Sequence, residues 1–156
     1  MSEIFDLSRR LGERLLARGW LLATAESCTG GGIASAVTDV AGSSAWFDRG
    51  FVTYSNAAKR DMLGVPAATL ATHGEVSEAT ARAMATGALA RSAAGIAVAV
   101  TGVAGPSGGS PAKPVGTVWF AYALVDGAVH ARLQRFDGDR AAVRMRTVER
   151  ALAALI

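Results

Sequence analysis

Cysteine, histidine and proline are scarce in this chain, and the first two shortages each remove a class of chemistry. A single cysteine, Cys28, excludes an intrachain disulfide and fits a reducing compartment. The two histidines, His73 and His130, do not combine with Asp or Glu at metal-ligand spacing, so no metal site is expected. Aromatic residues make up only 6% of the chain and the formal charge is +3, with arginines dispersed rather than gathered in a stripe. A nucleic-acid binder needs a dense basic track with interleaved aromatics, so the pattern argues for a solvated basic surface and leaves small acidic substrates open. No apolar run is long enough for a membrane span. The opening SEIFDLSRRL places charges where a signal peptide needs an apolar core. A cytoplasmic location with no membrane partner is therefore expected.

What the chain does have is apolar bulk. Its 156 residues are 51% hydrophobic and 19% charged, which suits one domain over 1–156. Such a domain buries roughly two thirds of its unfolded surface. Ile4, Leu7, Leu11 and Leu15 share one face of a helix over 2–18 that Gly19 stops. Trp20–Thr24 reads as a buried strand, 30–39 as a glycine-opened helix, 41–44 as a turn and Phe47–Tyr54 as a second strand. Helices follow over Asn56–Leu63 and after Pro66, and Ser77 caps a long alanine-rich helix reaching toward Gly95. The run GIAVAV at 95–100 has the uniform apolarity of a strand covered on both faces. Thr117–Val125 and Ala128–Phe136 form a hairpin across Asp126-Gly127, a type I′ signal. A last helix begins near Asp139 and turns Val143, Val148, Leu152 and Leu155 inward. The pattern specifies an α/β fold: a single-domain, three-layer α/β/α sandwich with a mixed, largely parallel sheet.

Two glycine-rich loops each follow an apolar strand, where open α/β sheets collect ligands at their carboxyl ends. In SCTGGG, residues 27–32, Thr29, Gly30 and Gly31 lead into a helix N-terminus, a ready anion site. The run has no Lys-Ser/Thr after its glycines and no G-x-G-x-x-G spacing, so it is neither a triphosphate loop nor a dinucleotide fingerprint. Its glycines are equally explained by close helix packing. In TGVAGPSGGSPAKPVG, residues 101–116, Thr101 offers a hydroxyl while Gly102, Ala104 and Gly105 keep the approach open. The outer half, 107–111, reads as surface loop. Between the loops stand three serines at tight turns, Ser27, Ser43 and Ser44, and one lysine, Lys59. A serine needs a base, and a lysine serves only when neutral, with its pKa drawn down from about 10.4 by desolvation. Tyr54 at a strand end is placed to orient that lysine or to be an ordinary strand tyrosine. Cys28 competes as a nucleophile or is a small core residue. On spacing alone the three serines stay open.

The blocks TAESCTGG, GSSAWFDRGFVTYSNAAK, HGEVSE, TGVAGPSGGSPAKPVGTVWFA and GDRAAVR, in this order, resemble the CinA C-terminal domain family over most of the chain. The resemblance implies the form without the molybdopterin-binding-like N-terminal domain found in longer members. It implies a cofactor-free amidohydrolase that converts nicotinamide mononucleotide, a small nucleotide, to nicotinate mononucleotide and ammonia through a Ser/Lys arrangement. It assigns the nucleophile to Ser44, the base to Lys59, supporting catalytic roles to Tyr54 and Ser27, and substrate contacts to Thr101 and Arg140. A homodimer is a family-level expectation. A noncatalytic nucleotide-binding module linked to competence or DNA damage is the alternative, and it would bind without turnover.

Overall fold

The computed structural model describes residues 2–156, and one five-stranded sheet organises them. Helix α1 (Glu3–Arg18) starts where the Ser2 hydroxyl accepts from the Phe5 N–H and ends where Gly19 turns left-handed at φ 68°. Strand β1 (Leu22–Glu26) is buried along its whole length and leads through the glycine turn to helix α2 (Gly32–Thr38). A 3₁₀ turn over Ser43–Ala45 precedes strand β2 (Phe47–Val52), which is followed by helix α3 (Asn56–Leu63). Helices α4 (Ala67–His73) and α5 (Glu78–Ala90) then lead to strand β3 (Ile96–Gly102). Strands β4 (Thr117–Leu124) and β5 (Val129–Arg135) form the hairpin, and α6 (Arg140–Ala153) closes the chain, capped by Asp139.

The order across the sheet is β2-β1-β3-β4-β5. Strand β1 pairs in parallel with β2 and β3, and the last two pairings are antiparallel, so only β4 opposes the other strands. Helices α1, α2 and α6 cover one face, where Leu7, Leu11, Leu15, Ile33, Val143 and Leu152 meet Val98, Val100, Phe120 and Tyr122. On the other face α5, flanked by α3 and α4, packs its alanines and Met84 on Ala23, Ala25, Ala97 and Ala99. Small residues there bring the α5 axis close to the sheet. A Cβ at Gly87 would meet the Leu63 backbone carbonyl, so glycine lets α5 and the end of α3 touch.

The expected three-layer mixed sheet is the fold observed. Three local readings differ. Strand β1 runs two residues later than expected because Trp20 and Leu21 serve the turn after Gly19. Helix α5 ends at Ala90, since residues 91–95 are spent returning the chain to the sheet, with Gly95 N–H bonded to the Leu21 carbonyl. The hairpin is not type I′. Asp126 keeps a negative φ, and only Gly127, at φ 98°, is left-handed. Gly127 N–H bonds the Leu124 carbonyl and Leu124 N–H bonds Ala128, which is a type I turn closed by a glycine bulge.

Candidate active site

The parallel pairing that matches Glu26 with Val52 and with Val100 brings the carboxyl ends of three strands together. The chain leaves β1 toward β2 on one side and reaches β3 on the other, so the strand order reverses here, where open sheets leave a crevice. Ser27 is the first residue beyond β1, and its N–H is tied to the Val100 carbonyl. Lys59 enters the same crevice from α3. Helical side chains tilt toward the N-terminus of their helix, which aims Lys59 back at the segment that precedes it. Its residue is fully buried. Lys59 Nζ donates to the Thr53 carbonyl at 3.0 Å, the Tyr54 carbonyl at 3.2 Å and Ser27 Oγ at 3.1 Å. No carboxylate pairs with it among the described residues. Burial draws the Lys59 pKa below the ordinary lysine range, while the negative charge of Glu75 pulls the other way. Three donated bonds use all three N–H groups of the charged amine; once neutral, the amine keeps the two carbonyl contacts and the Ser27 contact reverses, the hydroxyl donating to the lone pair.

The turn after Ser27 is held from below by a carboxylate that the sequence reading did not single out. Glu26, only 1% exposed, accepts from Thr29 Oγ1 at 2.6 Å and from the N–H groups of Ile33 and Ala34. The positive end of α2 is therefore already occupied, and the expectation of a free anion site in SCTGGG is corrected: the protein's own Glu26 fills it. Thr29 is spent in the same contact. Gly30 and Gly31 are left-handed, at φ 60° and 99°, and shape the turn. From above, Arg144 of α6 donates to the carbonyls of Cys28 and Thr29, each at 3.1 Å. The N–H groups of Cys28 and Thr29 donate to no protein oxygen among the described residues. Cys28 is buried, and burial raises its thiol pKa to about 11, so it is a core residue and a poor nucleophile.

The second loop forms the other wall. Thr101 is buried and its hydroxyl donates to the Glu75 carbonyl at 2.7 Å, so its observed task is to pin the turn before α5. Gly102 has no room for a side chain against Val118. Beyond it the loop is folded back rather than loose: Val103 N–H donates to the Thr117 carbonyl, the Val103 carbonyl accepts from Gly116 N–H, and Lys113 reaches the His73 carbonyl. Arg140, at the start of α6, donates to the Gly105 carbonyl at 2.8 Å and to the Tyr54 hydroxyl at 3.0 Å. Tyr54 thus orients Lys59 through its backbone, and its exposed ring carries the hydroxyl to Arg140. Ala104, Pro106 and Val115 line a cleft of about 450 Å³ beside Arg140. Arg140 and Arg144 stand one helical turn apart on α6.

The structure does not bring Ser44 to Lys59. Ser44 lies in the 3₁₀ turn before β2, and Lys59 follows that strand, so the two flank its six residues, about 20 Å of extended chain. Ser44 is exposed, and Ser43 is buried at that same remote end. Among the candidate serines it is Ser27 that meets the lysine. The sequence reading missed Glu26, Glu75 and Arg144. Arg144 carried one signal, its place four residues after Arg140. No cluster of three metal-ligating side chains occurs among the described residues, and no helix there is long and apolar enough to cross a membrane.

Comparison with known proteins bears on this crevice. Residues 4–156 match the family model described as the CinA C-terminal domain. The chain is 58% identical to the nicotinamide-nucleotide amidohydrolase PncC of Enterobacter agglomerans, over 93% of this chain and 90% of the relative. It is 55% identical to the protein of the same name from Escherichia coli K12, over 99% and 93%. Among solved structures, the competence/damage inducible protein CihA of Agrobacterium tumefaciens superposes with a TM-score of 0.96 at 52% identity, covering 99% of this chain and 94% of that one.

Proposed function

The chain belongs to the CinA C-terminal domain family, and from that premise we propose that it is an amidohydrolase of nicotinamide mononucleotide, working through Ser27 and Lys59. The observation that carries the mechanism is the buried Lys59 amine, held by two carbonyls with its third contact on Ser27 Oγ at 3.1 Å. Neutral Lys59 takes the hydroxyl proton as Ser27 Oγ attacks the carboxamide carbon on the pyridinium ring. The oxyanion is met by the unpaired N–H groups of Cys28 and Thr29, which the Glu26 and Arg144 contacts hold in place. Protonated Lys59 returns the proton to the leaving nitrogen, and ammonia departs. Water, deprotonated by Lys59, then cleaves the Ser27 ester and releases nicotinate mononucleotide for pyridine-nucleotide recycling. The 5′-phosphate is assigned to Arg140, because the α2 N-terminus is taken by Glu26 and Arg144 is engaged by the Cys28 and Thr29 carbonyls. A noncatalytic binding module has no use for a buried lysine facing a hydroxyl, so that alternative is not favoured.

Ammonia release from nicotinamide mononucleotide tests the proposal. Ser27→Ala and Lys59→Ala should each lose about three orders of magnitude in kcat with folding retained, and Ser44→Ala should stay within a few-fold of wild type. Absence of turnover in the wild-type protein would sink the activity. Loss in Ser44→Ala with an active Ser27→Ala would sink the nucleophile assignment.

A further inference from the structure

A cleft of about 820 Å³ lies away from the crevice just described. It opens where α1 and α6 end, beside the hairpin and beneath Trp20, near the start of β3, whereas Ser27 and Lys59 sit at the carboxyl ends of β1 and β2. Helices α1 and α6 do not reach far enough across the sheet to cover β5. That leaves the face carrying Tyr122 and its cross-strand partner His130, and Phe120 and its partner Arg132, open to the cleft.

The charge on its wall is one-sided. Arg14, Arg18, Arg82, Arg132 and Arg150 line it, with no Asp or Glu. Arg82 is engaged by Glu78 and the Val129 carbonyl. The other four guanidiniums have no carboxylate or carbonyl partner among the described residues, and Arg18 stacks 5.0 Å from the Trp20 ring centre. Helix dipoles account for two of them, since Arg18 and Arg150 fall in the last turns of α1 and α6. They do not account for Arg132, on a strand. Nor do they account for Tyr122, 8% exposed, which lines the cleft and whose buried hydroxyl has no hydrogen-bond partner. A buried hydroxyl without a partner is costly and rare, and one set among free guanidiniums lacks an acceptor that an anion would supply. Arg132 and Arg150 are near enough to act electrostatically on that hydroxyl, although burial dominates and raises its pKa. The floor beneath is apolar: Leu15, Trp20, Phe120 and Leu124.

We propose that this cleft is a second ligand site, for an organic polyphosphate of the nucleoside di- or triphosphate class. Its phosphates are held by Arg14, Arg132 and Arg150 and accept from the Tyr122 hydroxyl, while its apolar part rests on Trp20 and Phe120. The volume suits a ligand of that size. Four unpaired guanidiniums match the charge of a polyphosphate better than that of a single phosphate.

Titration of the whole protein with ATP, followed by calorimetry and by the tryptophan fluorescence that a Trp20→Phe control removes, tests the site at physiological ionic strength. Binding of one ATP per chain is expected, with inorganic tripolyphosphate weaker because it lacks the apolar part. Tyr122→Phe, which removes only the hydroxyl, should weaken ATP about tenfold, and Arg132→Glu should weaken it further. Both variants should deamidate nicotinamide mononucleotide at near wild-type rates. Arg140→Ala should bind ATP as the wild type does. The site is overturned if ATP does not bind, if Tyr122→Phe binds it unchanged, or if Arg140→Ala loses it, which would move the nucleotide to the Ser27 crevice. Preference for a single-stranded oligonucleotide over ATP, or Arg132→Glu changing only the oligomeric state in ultracentrifugation, would overturn it as well.

Discussion

Lys59 is the residue on which the proposed chemistry turns, because the burial that would make it a base also opposes its charge. Burial lowers its pKa and the Glu75 carboxylate raises it, so the resting amine reflects a balance between the two. The base form is neutral, so kcat/KM should climb with pH through the Lys59 pKa, and the climb should fall below the usual lysine value of 10.5. Removing the negative charge in Glu75→Gln withdraws the opposing influence. The ascending limb should then move to lower pH, while Lys59→Arg, which cannot release its proton, should be inactive. A limb that moved upward, or stayed in place, would remove Glu75 from the electrostatics of the site. Folding feels the same shift with a defined sign. Between the lowered folded value and 10.5 the unfolded chain binds a proton that the folded one does not, so stability rises with pH across that window.

At the scale of elements, the layers were legible in the sequence, whereas which serine meets Lys59 was not. The cap at Ser77, the helix start at Asp139, the stop at Gly19 and the run at 95–100 are local signals, and each produced an element of the expected kind. Which strand ends meet is not local. Ser44 is closer in sequence to Lys59 than Ser27 is, but β2 stands between them, while parallel pairing of β1 with β2 carries Ser27 to the lysine across 32 positions. Glu26 escaped notice for a related reason: it lies seven residues before the Ile33 N–H it receives, outside any usual capping spacing. Its replacement is correspondingly informative. Glu26→Gln keeps the size but turns an amide N–H₂ toward a backbone N–H of α2, leaving a buried donor unsatisfied. A loss of about 2 kcal/mol in urea unfolding is expected, together with a lower kcat, since the turn bearing Ser27 rests on that carboxylate. Unchanged stability would mean that the α2 N-terminus does not depend on Glu26.

Across the whole molecule, the crevice is completed from the far end of the chain. Arg144 reaches the carbonyls of Cys28 and Thr29 over 116 and 115 positions, and Arg140 reaches the Tyr54 hydroxyl over 86. Helix α6 therefore joins the two glycine-rich loops, and its two arginines have separable tasks. Arg140 contacts a loop carbonyl and an exposed tyrosine, so its remaining N–H groups are left for a phosphate. Arg144 spends its guanidinium on the turn that presents Ser27 and the two free N–H groups. Arg140→Ala should raise KM for nicotinamide mononucleotide by about tenfold or more with a smaller change in kcat, and should leave the slower deamidation of nicotinamide riboside, which lacks the phosphate, almost unaffected. Arg144→Ala should instead lower kcat for both substrates, because a slackened turn misplaces the oxyanion donors whether or not a phosphate is bound. Steady-state kinetics of the two variants on the two substrates makes the division measurable. Equal effects of Arg140→Ala on both substrates would show that this arginine braces the loops rather than holding the phosphate.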